Sequence, residues 1–71
     1  MIYKVSYVVI GGHHPGVIVN QDRAPRVGEV VSFGGYQFRI QEVKDLMPPR
    51  GDFAYLHVTV RPLEAVERAG S

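Results

Sequence analysis

Val30-Val31-Ser32-Phe33-Gly34-Gly35-Tyr36-Gln37-Phe38-Arg39-Ile40 decides the fold class of this chain. Two adjacent glycines able to take positive φ suit the primed turns whose twist matches that of paired strands, so the stretch reads as a tight β-hairpin. Pairing across Gly34-Gly35 sets Phe33 opposite Tyr36 and Val31 opposite Phe38, with Ile40 next on the same face. Ser32, Gln37 and Arg39 point the other way. One face is core and the other is wet.

Outward from the hairpin, the rest of the chain also reads as strands. Ile2 to Ile10 alternates, with Tyr3, Val5, Tyr7 and Val9 on one side and Lys4, Ser6, Val8 and Ile10 on the other, and it is rich in β-branched and aromatic residues. The pattern leaves open which of these two sides meets the core. His14-Pro15-Gly16 suits a tight turn in which proline presets φ and glycine takes the positive value. Val17-Ile18-Val19 is apolar at every position, which predicts a short strand buried on both faces. Asn20 to Arg26 is polar, contains Pro25 and reads as a loop. Lys44 to Asp52 holds two prolines and a glycine, so an irregular connection is expected, with one helical turn at Asp45-Leu46-Met47 stopped by Pro48. Phe53 to Arg61 is the last strand, with Ala54, Leu56, Val58 and Val60 facing one way and Tyr55, His57, Thr59 and Arg61 the other.

These elements predict an all-β fold, a five-stranded, partly closed antiparallel barrel of the SH3-like or OB-like kind, whose closure would protect edges that a lone sheet exposes. Residues 1–68 form its single domain, Leu63 to Arg68 have the length of a short helix that needs tertiary support, and 69–71 form a frayed tail. The expected core is Tyr3, Val5, Tyr7, Val9, Ile18, Val31, Phe33, Phe38, Ile40, Leu56, Val58 and Val60.

Composition bounds the function. Seventy-one residues with 45% hydrophobic and 21% charged content describe one globular domain, and a chain of this size buries only about 60% of its unfolded surface. Cysteine is absent, which removes disulfides, thiolate catalysis and cysteine-ligated zinc and suits a reducing cytoplasm. Eight Lys and Arg against seven Asp and Glu give a formal charge of +1 without any block of like charges. Bulk electrostatics therefore draw the chain to neither nucleic acid nor membrane. The longest uncharged run, opening at Val5, is broken by glycines, two histidines and a proline, so it fits neither a transmembrane helix nor a leader. A cytoplasmic protein starting at Met1 is expected.

Pro25-Arg26-Val27-Gly28-Glu29 before Phe33-Gly34-Gly35, then Phe38-Arg39-Ile40 and a later Val58-Thr59-Val60, resembles the small transporter-associated domain of certain bacterial membrane proteins. In both, a proline and a glycine open a hairpin with a glycine-rich turn. The resemblance spans under half of the chain; the histidine loop and the opening strand depart from that family, which begins with a helix.

The candidate metal ligands are His13 and His14, between glycines, with His57 and Asp22 or Asp52, since imidazole and carboxylate suit zinc, nickel or iron. The plainer reading is a turn whose histidines face water, and no cofactor is expected. Ser6, Ser32 and Thr59 stand in no nucleophile context, and Gly11-Gly12 and Gly34-Gly35 lack the helix and Lys-Ser or Lys-Thr of a phosphate loop. A small chain also has difficulty enclosing a substrate pocket of several hundred Å³.

The stronger binding pattern is the outward face of the last strand. Tyr55, His57, Thr59 and Arg61 follow at spacing two, with Arg39, Gln37 and Gln41 on a neighbour and Lys4 as an extension. Such a surface could stack bases while its arginines meet phosphates, against the plainer reading of an ordinary solvated face. Arg50 and Asp52 are the next choice of contacts, because they lie in a long loop; Arg50-Gly51-Asp52 spells the tripeptide read by adhesion receptors, although Pro48-Pro49-Arg50-Gly51 is turn chemistry. The apolar hairpin of Val8 to Ile10 and Val17 to Val19 predicts a homodimer or docking onto a larger protein. The expectation is a non-catalytic binding or interaction module with a protein partner. The alternatives are a small metal-dependent or acid-base enzyme centred on His13, His14 and His57, or a single-stranded nucleic-acid binder.

Overall fold

The computed structural model describes residues 1–11 and 13–63. The strands are β1 (Ile2–Val9), β2 (Val17–Gln21), β3 (Val30–Phe33), β4 (Tyr36–Arg50) and β5 (Phe53–Pro62). They form one sheet in the order β2-β1-β5-β4-β3, curled into a half-barrel. The expected helix and tail fall on 64–71, outside the described residues apart from Leu63, whose N–H donates to the Gln37 carbonyl at 3.1 Å.

The hairpin has the expected register, Val31 opposite Phe38 and Phe33 opposite Tyr36. Gly34 and Gly35 have φ of 63° and 84°, the two positive values that a type I′ turn requires and that other residues adopt at a cost. Three of the four pairings are antiparallel, whereas β1 and β5 pair in parallel from Ile2 opposite Phe53 to Val9 opposite Val60. A pairing between distant segments leaves no local turn signal, so the hairpins alone suggested an antiparallel sheet.

The inner face of the curl holds Val5, Tyr7, Phe38, Ile40, Ala54, Leu56, Val58 and Val60, all buried. Tyr3, Val9, Val17, Val19, Val31, Phe33 and Val43 pack around them. Tyr3, Val5, Tyr7 and Val9 thus form the core side of β1. Ile18, expected in the core, is 64% exposed. β2 is an edge strand on a single-layer curl, so only its inner side is covered, and burial of Val17-Ile18-Val19 on both faces does not occur.

Two connections also differ from expectation. Lys44 to Arg50 continues β4 instead of forming an irregular loop with a helical turn, paired to β5 through shifts at Ile40/Glu42, Asp45/Met47 and Met47/Arg50. The last shift contains Pro48 and Pro49, which lack the N–H a regular ladder needs. Gly51-Asp52 then closes the hairpin, with Gly51 at φ 60° as the first central residue of a type II′ turn requires. This long β4–β5 ribbon gives the molecule extents of 45 × 20 × 18 Å. In the loop after β1, positive φ falls on Gly11 and is absent from Gly16. Gly16 serves close approach instead, since a Cβ there would collide with the Tyr7 carbonyl oxygen.

Aromatic rings hold the curl together. Phe33 stacks on Phe38 with centroids 4.3 Å apart, and Tyr7 lies 5.6 Å from Phe33. His14, from the loop between β1 and β2, sits 4.4 Å from Tyr36 and 5.4 Å from Phe38, so that loop reaches across to the β3–β4 hairpin. Tyr36, placed on the core face by its register, is nevertheless 57% exposed and acts as the outer wall of this contact. Beside it, Arg26 to Glu29 makes a type II turn: Gly28 takes φ 93° and Glu29 N–H donates to the Arg26 carbonyl at 3.1 Å.

Candidate functional site

Alternation along β5 buries Ala54, Leu56, Val58 and Val60 and turns Tyr55, His57 and Thr59 to the outer face, followed by exposed Arg61. The registers on both sides of β5 build rows across this face. Lys4 and Met47 flank Tyr55, Ser6 and Lys44 flank His57, Val8 and Glu42 flank Thr59, and Arg39 stands opposite Arg61. The structure therefore brings together Tyr55, His57, Arg61, Arg39 and Lys4. Gln41 falls at the shift between Ile40 and Glu42, which puts Glu42 in the row where Gln41 was expected.

The Lys4 ammonium lies 5.8 Å from the Tyr55 ring centroid, and Phe53 meets the same ring edge-on at 4.8 Å. Tyr55 is thus already engaged from two directions. Arg39 and Arg61, like charges in directly opposed positions, have separate anchors. An Arg39 guanidinium N–H donates to the Gly28 carbonyl at 2.9 Å, while Arg61 lies against Gly11, where a Cβ would stand 2.7 Å from its Nη1. A guanidinium carries five donors, so both retain donors for a ligand. Gly11, which makes room for the Arg61 head, looked in the sequence like a plain turn residue, and Gly28 lends Arg39 only its carbonyl.

Arg50 and Asp52 flank the tip of the β4–β5 hairpin, next along the ribbon from the Met47/Tyr55 pair. The Asp52 carbonyl accepts from Ile2 N–H at 2.6 Å, tying the tip to the start of β1. The histidines separate. His14 packs among the aromatic rings on the core side, His57 lies on the outer face and His13 is exposed. Among the described residues, no group of three or more His, Asp or Glu side chains converges as a metal site. Two open depressions flank the segment after β2, one of about 410 Å³ lined by Arg23, Ala24, Arg26 and Glu29 and one of about 440 Å³ lined by Ile2, Asn20, Gln21 and Asp22. Neither lining includes a histidine.

Of the apolar residues expected to mediate docking, Val8 at 39%, Ile10 at 38% and Ile18 at 64% are exposed, whereas Val9, Val17 and Val19 pack against the core. Ile18 stands opposite Ser6 on β1. Among the described residues no helix is long and apolar enough to cross a membrane.

Among the described residues, Glu29 is the most organised carboxylate. It accepts Arg26 N–H at 3.0 Å and pairs with Arg23. The Arg26 hydrogen bond, helped by Arg23, holds its carboxyl below the usual range. Tyr7 shows the opposite effect of burial, which raises its hydroxyl above the ordinary phenol value although its O–H donates to Gln21 Oε1 at 3.0 Å.

Compared with family models, with curated proteins and with solved structures, the chain matches none.

Proposed function

We propose that the protein is a non-catalytic interaction module that binds an acidic, extended segment of a partner protein across the outer face of β1, β5 and β4. The observation that carries this reading is the row structure of that face: Lys4 beside Tyr55, Lys44 beside His57 and Arg39 beside Arg61 in strand register. From Tyr55 to Arg61 these rows span about 20 Å at roughly 3.3 Å per residue, a length suited to a peptide in extended conformation. Cations on adjoining strands favour carboxylates, because charge-assisted hydrogen bonds from guanidinium and ammonium groups are the strongest such a surface can make.

A protein segment is favoured over single-stranded nucleic acid by the state of Tyr55. Base recognition on small sheets depends on free aromatic faces, and here Lys4 lies over the ring while Phe53 abuts it. The low net charge points the same way, since nucleic-acid affinity rests chiefly on neutralised phosphates. The experiment is an NMR titration of the labelled protein with a glutamate-rich peptide, and separately with oligouridylate, at low and high salt. Salt-sensitive shifts at Lys4, His57, Arg39 and Arg61 with the peptide support the reading. Shifts with oligouridylate alone would transfer the face to nucleic acid, and silence with both would end the proposal.

A further inference from the structure

β3 covers only the beginning of β4. Its ladder runs from Val30 opposite Arg39 to Phe33 opposite Tyr36. The preceding loop extends that cover by one residue, because Ile40 N–H donates to the Glu29 carbonyl at 2.8 Å and Gly28 N–H donates to the Ile40 carbonyl at 2.9 Å. From there to Arg50, β4 pairs among the described residues on its β5 side alone. An uncovered edge of this kind is a template for another strand.

Hydrogen-bond alternation fixes which groups face that edge. The Gln37 carbonyl bonds toward β5, to Leu63, and Ile40 bonds away from it. Following the register, Glu42 opposite Thr59 and Lys44 opposite His57 direct their backbone groups at β5, while Val43 and Asp45 direct theirs outward. The open stretch is bounded by Gly28 and Glu29 at one end and by Pro48 and Pro49, which carry no N–H, at the other.

This short edge is complementary to itself. An antiparallel second copy related by a two-fold axis at Val43 would exchange both backbone hydrogen bonds between the two Val43 residues. Glu42 would then stand opposite Lys44 of the second copy, and Lys44 opposite its Glu42, at non-hydrogen-bonded positions where facing side chains lie closest. Both are exposed and lie on the outer face. Gln41 would meet Asp45 of the second copy, an amide facing a carboxylate. One step further, Leu46 of the second copy, a residue 61% exposed in the single chain, would approach the loop carrying Val27, which is 65% exposed. The same operation on β2, where Ile18 faces the open edge, sets Ile18 against its own copy and Val17 against Val19, with no charge to fix the register.

The geometry points to a two-fold homodimer in which the open edges of β4 pair antiparallel about Val43, with Glu42 and Lys44 forming two symmetric ion pairs between the copies. Such an interface is isologous and closes on itself. It joins the two five-stranded sheets into one. The inference rests on the strand edge; it shares Lys44 with the acidic-ligand reading and leaves Lys4, His57, Arg39 and Arg61 free on the outer face.

Sedimentation of the full chain from micromolar to millimolar concentration tests it. A monomer–dimer equilibrium is expected, with the dimer dissociation constant raised about tenfold or more by Glu42→Lys or by Lys44→Glu. The exchange carrying both substitutions should restore the dimer, because it re-forms the same pairs with the charges swapped. Amide exchange of the unaltered protein is the second readout, and protection of the Val43 and Asp45 N–H groups should rise with concentration. A mass that stays monomeric, exchange at Val43 and Asp45 independent of concentration, or a dimer abolished by Ile18→Lys and indifferent to both charge reversals would overturn the assignment.

Discussion

The His14 ring stands against Tyr36 at a centroid distance of 4.4 Å and an angle of 57°, so the loop leaving β1 is fastened to the hairpin at the opposite edge of the sheet. β2 and β3 are the two edges of the curl, and this contact spans the gap that a closed barrel would fill with backbone hydrogen bonds. Replacing His14 by Ala should cost about 1 kcal/mol, the scale of an aromatic pair beyond its buried area. Tyr36→Ala should cost a similar amount, and the double variant should lose less than the sum of the two. Urea unfolding of the three variants measures this, and strict additivity would show that the rings do not support one another.

Glu29 makes stability depend on pH in the acid range. Its folded pKa lies below the unfolded value because of the Arg26 N–H and Arg23. Its contribution is therefore present above the unfolded carboxylate pKa, about 4.3, and is lost as pH falls through the folded value. Thermal unfolding of the Glu29→Gln variant should show a shallower acid limb than the unaltered chain. Identical limbs would remove Glu29 from the account.

Gly16→Ala should destabilise the fold by about 1–3 kcal/mol or more, the usual penalty of overpacking, because the Cβ would collide with the Tyr7 carbonyl oxygen. The obstacle is backbone in a strand, which cannot swing aside as a side chain can. Alanine at Gly16 is thus an informative substitution, since φ there is not positive and the effect isolates close approach. Denaturant midpoints measure it.

Arg61→Gln should weaken binding of a glutamate-rich peptide about tenfold, in line with the loss of a charge-assisted hydrogen bond, while leaving the unfolding midpoint nearly unchanged. Arg61 is exposed, so its removal uncovers little. Calorimetric titration beside thermal unfolding separates the two effects. An equal loss of stability and affinity would identify Arg61 as a support for the Gly11 loop.

The hairpin about Gly34-Gly35 and the alternation in β5 were legible because both are local patterns, one set by turn chemistry and the other by a period of two. Ile18 shows where that stops. Three apolar residues in a row predict burial on both faces only if something covers both, and here the outer side of β2 is uncovered. Pro48 and Pro49 misled for the opposite reason: they oppose a regular strand, yet β4 accommodates them at a shift in its ladder. The alternation placed Tyr55, His57, Thr59 and Arg61 on one face, and the structure sets Lys4 and Arg39 in its rows, whereas Gln41 falls at a ladder shift that the sequence did not signal. The anchors of Arg39 at Gly28 and Arg61 at Gly11 were hidden, since they depend on loops brought in from far along the chain.

The parallel pairing of β1 with β5 has a consequence for how the protein is made. β5 sits between β1 and β4 and supplies Ala54, Leu56, Val58 and Val60 to the core, yet of the five described strands it leaves the ribosome last. Until it emerges, the two hairpins have no shared sheet to join, and Ile2 must wait for Phe53. Nascent chains stopped before Phe53 should hence remain protease-sensitive and bind chaperones. Acquisition of structure should be abrupt, late and governed by closure of the longest loop in the molecule.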